Sequence, residues 1–335
     1  MEHTTHPDFA RTRFLILSDT HGMTFQSEDK PLQRVDVAIH CGDLTEESKL
    51  EEYLTSLRLL KEINAPLKLV IAGNHDFTMD IPAFKRKVAE ASPPLDPDLV
   101  KRVYGDHGEA RQIFEDAKAA GVIFLDEGSH RFHLENGAIL TVYASPWTPS
   151  LGDWGFQYPS SQGHNFEITE GVDLVMTHGP PKGIMDYTES KQRAGCSDLF
   201  GAVAQARPRL HCFGHIHQGW GAKMVTWRDQ LTETPSHFTD IDNERSVLVD
   251  KLSGFQQSRF DTPESLEQKS KKTEHYRRER CCATSHCTGD ANPLVFGTQT
   301  LFVNAAIEGT TDEYPLQLPW LVDLELPRAA DKSPA

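Results

Sequence analysis

Apolar residues fall in short runs along the chain, and nearly every run stops at Gly, Asp, His or Pro. Residues 13–17, 35–39, 67–71, 122–125, 139–144, 174–177 and 210–213 have the length and composition of strands. Residues 300–305 and 320–326 supply two more toward the C-terminus. Several runs alternate with segments of helical period, which predicts an α/β layer architecture. The clearest helix spans about 46–63, where Leu50, Tyr53, Leu54, Leu57, Leu60 and Ile63 recur on one face. Thr45 is its candidate N-cap, and Glu46 and Glu47 complement the helix dipole. A second helix at 109–120 would bury Ile113, Phe114 and Ala117 and stop at Gly121; a third spans 197–206, ahead of Pro208. Asn136-Gly137, between two alternating segments, marks a hairpin.

The pattern fades between about 226 and 292. This stretch is rich in Ser, Thr, Gln, Glu, Lys and Arg and carries the charged run LEQKSKKTEHYRRER. It reads as a polar insertion, partly disordered or loosely docked. Its run 269–280 has the composition of a local basic patch, or of a solvated helix face. The domain so delimited runs from 12 to 327, between flexible segments 1–11 and 328–335.

Composition narrows the setting. A chain of 335 residues can bury a substantial core without disulfide staples. Its 34 Lys and Arg against 49 Asp and Glu give a formal charge of -15, which repels phosphate backbones and argues against long nucleic acid or an anionic membrane. Cys41, Cys196, Cys212, Cys281, Cys282 and Cys287 show no regular framework, as expected in a reducing compartment. The N-terminus lacks a secretory apolar core, and no run has membrane-span length. The expectation is a soluble cytoplasmic or nuclear protein. Cys281, Cys282, His286 and Cys287 hint at a further metal or redox cluster, but C-C-x4-C lacks the paired spacing of a zinc site.

Five polar clusters sit where apolar runs finish: Asp19-Thr20-His21, Gly42-Asp43, Gly73-Asn74-His75-Asp76, Thr177-His178-Gly179 and Gly214-His215-Ile216-His217. The carboxyl ends of strands in an open α/β sheet form the usual ligand crevice, so distant clusters can converge there. In extended backbone, residues i and i+2 face one side, which would let Asp19 with His21, and His215 with His217, each present two donors. Gly42, Gly73, Gly179 and Gly214 permit the turns or close approaches that aim the donors inward. Imidazole, carboxylate and amide donors without thiolate suit Mn, Fe, Zn or Ni better than Mg or Ca.

In this order the blocks DTH, GD, GNHD, THGPP and GHIH resemble the signature of the calcineurin-like metallophosphoesterases. FLILSDTHG, IHCGDLTEE, LVIAGNHDFTMD, YASPWTP with WGF, DLVMTHGPPKG and RLHCFGHIHQGWG are similar to the branch of metallophosphoesterase-domain brain proteins and their microbial relatives. The resemblance covers about 12–222 and resumes at 293–327. It implies a four-layer α/β/β/α sandwich. It also implies two divalent metal ions, manganese first among Mn, Fe, Zn and Ni, bridged by a hydroxide nucleophile.

Carried over by position, the resemblance puts Asp19, His21, Asp43 and His217 on one metal and Asp43, Asn74, His178 and His215 on the other, with Asp43 bridging. Some vertebrate members have glycine at the position of His215, so its presence here implies a complete dinuclear centre. His75 matches the family's histidine beside the phosphate and is assigned leaving-group protonation or charge stabilisation. Asp76 or Glu46 is the candidate partner for its ring.

The branch implies a phosphodiesterase of broad specificity acting on a small phosphodiester or nucleotide, with cyclic nucleotides as plausible substrates. Asn74, His75, Trp147 and Phe156 are candidate substrate contacts. Pro146, Trp154, Gly155 and Gly179-Pro180-Pro181 are further wall candidates, and such aromatics also pack as core. A phosphomonoesterase or protein phosphatase, and a metal- and nucleotide-binding scaffold with weak catalysis, are the alternatives.

Overall fold

The computed structural model describes residues 8–150, 152–311 and 314–329. The chain runs through β1 (Phe9–Leu17), β2 (Val37–His40), α1 (Leu50–Glu62), β3 (Leu67–Val70), α2 (Ile81–Glu90), α3 (Pro97–Tyr104), α4 (Glu109–Glu115) and β4 (Val122–Phe124). Next come β5 (Gly128–His133), β6 (Ile139–Ser145), the short pair β7 (Thr148–Pro149) and β8 (Gln157–Tyr158), β9 (Leu174–Thr177), α5 (Ser197–Ala206), β10 (Leu210–Phe213) and β11 (Gly221–Trp227). The C-terminal part holds β12 (Ile241–Lys251), α6 (Pro263–Glu279), β13 (Cys282–Ser285), β14 (Gln299–Asn304), the ribbon β15 (Glu308–Thr311) and β16 (Tyr314–Leu316), and β17 (Trp320–Pro327).

Two sheets stack face to face. One has the order β13-β17-β1-β2-β3-β4 and the other β12-β11-β14-β10-β9-β6-β5. Strand alternation distributes the core into three layers of side chains. Phe14, Ile16, Val37 and Ile39 meet Leu140, Val142, Leu174, Met176 and Leu301 between the sheets. Leu15, Leu17, Ala38 and Val70 turn the other way, under Tyr53, Leu57 and Leu60 of α1 and Phe114 of α4. Tyr143, Val175, Phe213 and Phe302 lie under Leu199, Phe200 and Val203 of α5. The layers are therefore α/β/β/α. The nine strands expected from the pattern are all present, and β5 and β6 form the hairpin marked by Asn136-Gly137.

Parallel pairing places the strand ends together. β1 with β2 and β2 with β3 are parallel, as are β9 with β10 and β10 with β14. Their carboxyl ends open on one side of the sandwich.

Several expectations are corrected. The first helix starts at Leu50 rather than 46, and its N-cap is Lys49. Thr45 instead gives its hydroxyl to Asp76 Oδ1 at 2.8 Å, which holds the end of β2 against the loop after β3. Leu54 faces outward at 45% exposure, while Ser56 and Leu59 are buried. Residues 109–120 split into α4 and a 3₁₀ turn that ends at Gly121, φ +76°. Helices α2 and α3 were not anticipated, although Asp80 and Asp96 cap them with proline in the first turn.

The polar stretch 226–292 is built into both sheets. β12 pairs with β11 at one sheet's edge, and β13 pairs with β17 at the other's. Helix α6 between them buries no residue and is tied down by ion pairs, Lys269 to Asp261 at 2.8 Å and Lys272 to Asp250 at 2.5 Å. In β12 only Ile241 and Asp250 are buried, and Val247 and Val249 reach the inter-sheet core only in part, so its polar first half, 242–246, looks like loop in sequence. At the termini, β1 begins at Phe9 inside the segment expected to be flexible, and Arg328 N–H donates to the Asp8 carbonyl at 2.9 Å. The rest of both expected flexible ends, 1–7 and 330–335, lies outside the described residues.

All six cysteines are free and buried. Cys281 faces the helix-side core and Cys282 the inter-sheet core, so alternation separates them. His286 is occupied by the Asn292 carbonyl at 2.7 Å and Thr284 at 2.9 Å, and no metal-holding group forms there among the described residues. No helix among them is long and apolar enough to cross a membrane.

Candidate metal centre

Each polar cluster follows directly on a strand: Asp19 and His21 on β1, Asp43 on β2, Asn74 and His75 on β3, His178 on β9, His215 and His217 on β10. Main-chain bonds lace the loops together. Asp19 N–H donates to the Gly42 carbonyl at 2.9 Å, His21 N–H to the Asp43 carbonyl at 3.1 Å, and Gly214 N–H to the His178 carbonyl at 2.9 Å. A Cβ on Gly73 would overlap Asp43, and one on Gly214 would overlap Asp19 and Ser18, so both positions demand glycine for close approach.

The donors reach the centre differently from the extended alternation expected of them. Asp19, His21, Asp43 and His215 have φ of 55°, 44°, 53° and 66°, the left-handed region. Such backbone costs about 1–2 kcal/mol per residue outside glycine, and it collects where the surrounding structure imposes it. His217 opens a 3₁₀ turn, so it and His215 diverge rather than sharing one face.

They diverge into two groups. Donor atoms of Asp19, His21 and His217 lie within 4.8 Å of one another, and so do those of Asp43, His178 and His215. Asp43 also groups with His21 and His75 at that spacing, which puts it between the two. Within the first group His217 Nε2 is 3.3 Å from Asp19 Oδ1. Within the second His178 Nε2 is 3.2 Å from Asp43 Oδ2 and 3.0 Å from Asn74 Oδ1.

This arrangement fits a cation on chemical grounds. His178 Nδ1 donates to the Cys41 carbonyl at 2.9 Å, so a neutral ring leaves Nε2 a lone pair pointing at two oxygen acceptors. Three acceptors cannot satisfy each other without a proton or a metal between them. Burial opposes charge on His178, but Asp43 and then Asp19 outweigh it and carry its pKa to about 9. Burial likewise opposes ionisation of Asp43, yet His178, then His21 and His75, hold it well below the usual carboxylate range. Asp19 is held low in the same way by His217 and His178 against its burial. His215 is pushed down to about 4, by burial first and then by His178, and stands as a neutral donor. Both ring nitrogens of His21 are buried without a hydrogen bond.

His75 lies beside these groups. Its Nδ1 donates to the main-chain carbonyl of Glu46 at 2.6 Å, which fixes the tautomer and frees Nε2. Neither expected side-chain partner orients it. Asp76 is consumed internally, accepting from Gly73, Leu44 and Thr45, and burial and then Asp43 raise its pKa to about 6. The Glu46 carboxylate turns to His21, Oε2 to Nδ1 2.9 Å. Trp154 stacks on His75 with centroids 4.2 Å apart. Of the other candidate contacts, Trp147 and Phe156 pack edge to face at 5.8 Å, and Phe156 also joins the helix-side core. Trp147 and Trp154 share a cavity of about 330 Å³ with Asp80, Arg86 and Gln157.

The donor-bearing strand ends thus lie together at one side of a double-sheet sandwich. Residues 12–219 match the model of the calcineurin-like phosphoesterases, and the chain belongs to that family. Within it, the chain is 34% identical over 217 residues to metallophosphoesterase domain-containing protein 1 of Homo sapiens, covering 63% of this chain and 62% of that protein. A UPF0046 protein of Caenorhabditis elegans is 33% identical over 217 residues, 62% of this chain and 52% of that one. The chain thus spans half to three fifths of the length of these curated relatives. Among solved structures, a Thermus thermophilus protein, TT1561, is similar at 14% identity and a TM-score of 0.39, over 64% of this chain and 84% of that one.

Proposed function

We propose that this protein is a broad-specificity phosphodiesterase for small diesters, cyclic nucleotides among them, working on two divalent cations with manganese the preferred metal. The observation that carries the reading is the pair of donor groups joined through Asp43. Asp19, His21, Asp43 and His217 would hold one cation, and Asp43, Asn74, His178 and His215 the other. Two cations so held would supply Lewis-acid polarisation of the phosphoryl oxygens and a nucleophile from water at neutral pH.

The remaining chemistry belongs to the chain. His75, with Nδ1–H fixed on the Glu46 carbonyl, has Nε2 turned free, and in its imidazolium form that nitrogen carries the proton it gives to the departing oxygen, returning to the neutral ring with Nδ1–H kept. Trp154 stacked on that ring restricts its rotation. The cavity between Trp147 and Trp154 offers aromatic walls to the second substituent that a diester carries and a monoester lacks.

The test is a pair of rates with added manganese, on bis-p-nitrophenyl phosphate and on p-nitrophenyl phosphate. The reading expects faster turnover of the diester. Preference for the monoester would move the protein to the phosphomonoesterases, and stoichiometric nucleotide binding without turnover would make it a scaffold.

A further inference from the structure

Two carboxylates outside the donor set close on the first group. Glu308, the first residue of β15, brings Oε2 to 3.1 Å from His21 Nε2 and 3.3 Å from His217 Nδ1. Glu46 approaches His21 from the other nitrogen at 2.9 Å. The His21 side chain is 8% exposed, and neither carboxylate is aligned to hydrogen bond with it. A buried imidazole bracketed by anions and bonded to neither is a site waiting for positive charge.

Glu308 is held in place by the fold. Ile307 N–H donates to the Ser18 carbonyl at 2.9 Å, one residue before Asp19. Gln317 Nε2 donates to the carbonyls of both Glu308, 3.2 Å, and His217, 3.3 Å. These bonds register β15 against the ends of β1 and β10. Its approach to His217 matches the spacing of Asp19 from the same ring, 3.3 Å.

Charge separates the two groups. The second group adds to Asp43 only the neutral donors Asn74, His178 and His215 when its imidazoles are metal-bound. The first adds Asp19 and has both extra carboxylates beside it. A carboxylate on the outer nitrogen of a metal-bound histidine fixes its ring and raises its basicity.

We infer that Glu308 is a further carboxylate of the first metal group, orienting His217 through Nδ1 and adding the charge that makes this the tighter of the two sites. The inference rests on the dinuclear reading above. Its side chain is 39% exposed, so solvent screens part of its charge.

Calorimetric titration of the full chain with Mn²⁺, after chelator treatment, tests it by a readout independent of turnover. Wild type shows two steps, the first tighter. Glu308→Gln, which keeps size but loses charge, weakens the first step by about tenfold and leaves the second unchanged; Glu308→Ala weakens it by up to about 100-fold. Equal thermal midpoints for the metal-free proteins establish that the variants fold. An unchanged first step in Glu308→Gln overturns the inference while the two wild-type steps stand. A wild type that binds no Mn²⁺ overturns the dinuclear reading itself.

Discussion

At His75 one hydrogen bond decides which nitrogen can react. With Nδ1 committed to the Glu46 carbonyl at 2.6 Å, proton transfer falls to Nε2. His75→Ala is expected to lower kcat by about 10² to 10⁴-fold while the chain keeps its metal, since general acid catalysis is lost and no donor is removed. Metal analysis beside the rate decides this, and loss of metal from His75→Ala would contradict the division of roles. The residue scale was the most legible in sequence. All seven donors stand in short motifs at the ends of apolar runs, and the structure brings all seven together. Glu308 was not legible, because it follows His217 by a long stretch and belongs to no motif; only the sheet register delivers it. The left-handed backbone at Asp19, His21, Asp43 and His215 was also hidden. Asp and His enter that region more readily than most residues, but here loop-to-loop bonds impose it.

Elements were legible wherever one face is buried. Strands β1, β2, β3, β9 and β10 lie wholly or largely inside the sandwich and read as continuous apolar runs. Polar edge strands such as β12 do not, and short capped helices such as α2 carry no long apolar stripe to mark them. β10 contains one residue whose burial has a measurable cost. His211 has its Nε2 2.9 Å from Thr177 Oγ1 and Nδ1 unbonded, and burial lowers its pKa from 6.5 to about 3. The unfolded chain therefore takes up a proton near pH 6.5 that the folded chain refuses until about pH 3. More protons bound in the unfolded state means stability that rises with pH, so this contribution is lost as pH falls below 6.5. Urea midpoints measured over that window should fall more steeply for wild type than for His211→Gln. Equal slopes would show that His211 does not titrate as placed.

For the whole molecule, function follows from how the two sheets meet. Each sheet alone carries only part of the donor set: β1, β2 and β3 lead into Asp19, His21, Asp43 and Asn74, and β9 and β10 lead into His178, His215 and His217. The inter-sheet core fixes the distance between these halves, and Asp43 reaches His178 across it at 3.2 Å. The segment 226–292 takes part in that frame by adding an edge strand to each sheet, which its polarity concealed. Everything proposed for the centre depends on one carboxylate, Asp43, serving two metals. Counting manganese per chain after equilibrium dialysis, for wild type and Asp43→Asn, puts that sharing to the test. Two ions in wild type and fewer than one in the variant are expected; a wild type that holds one ion or none, or a variant that keeps two, would contradict it.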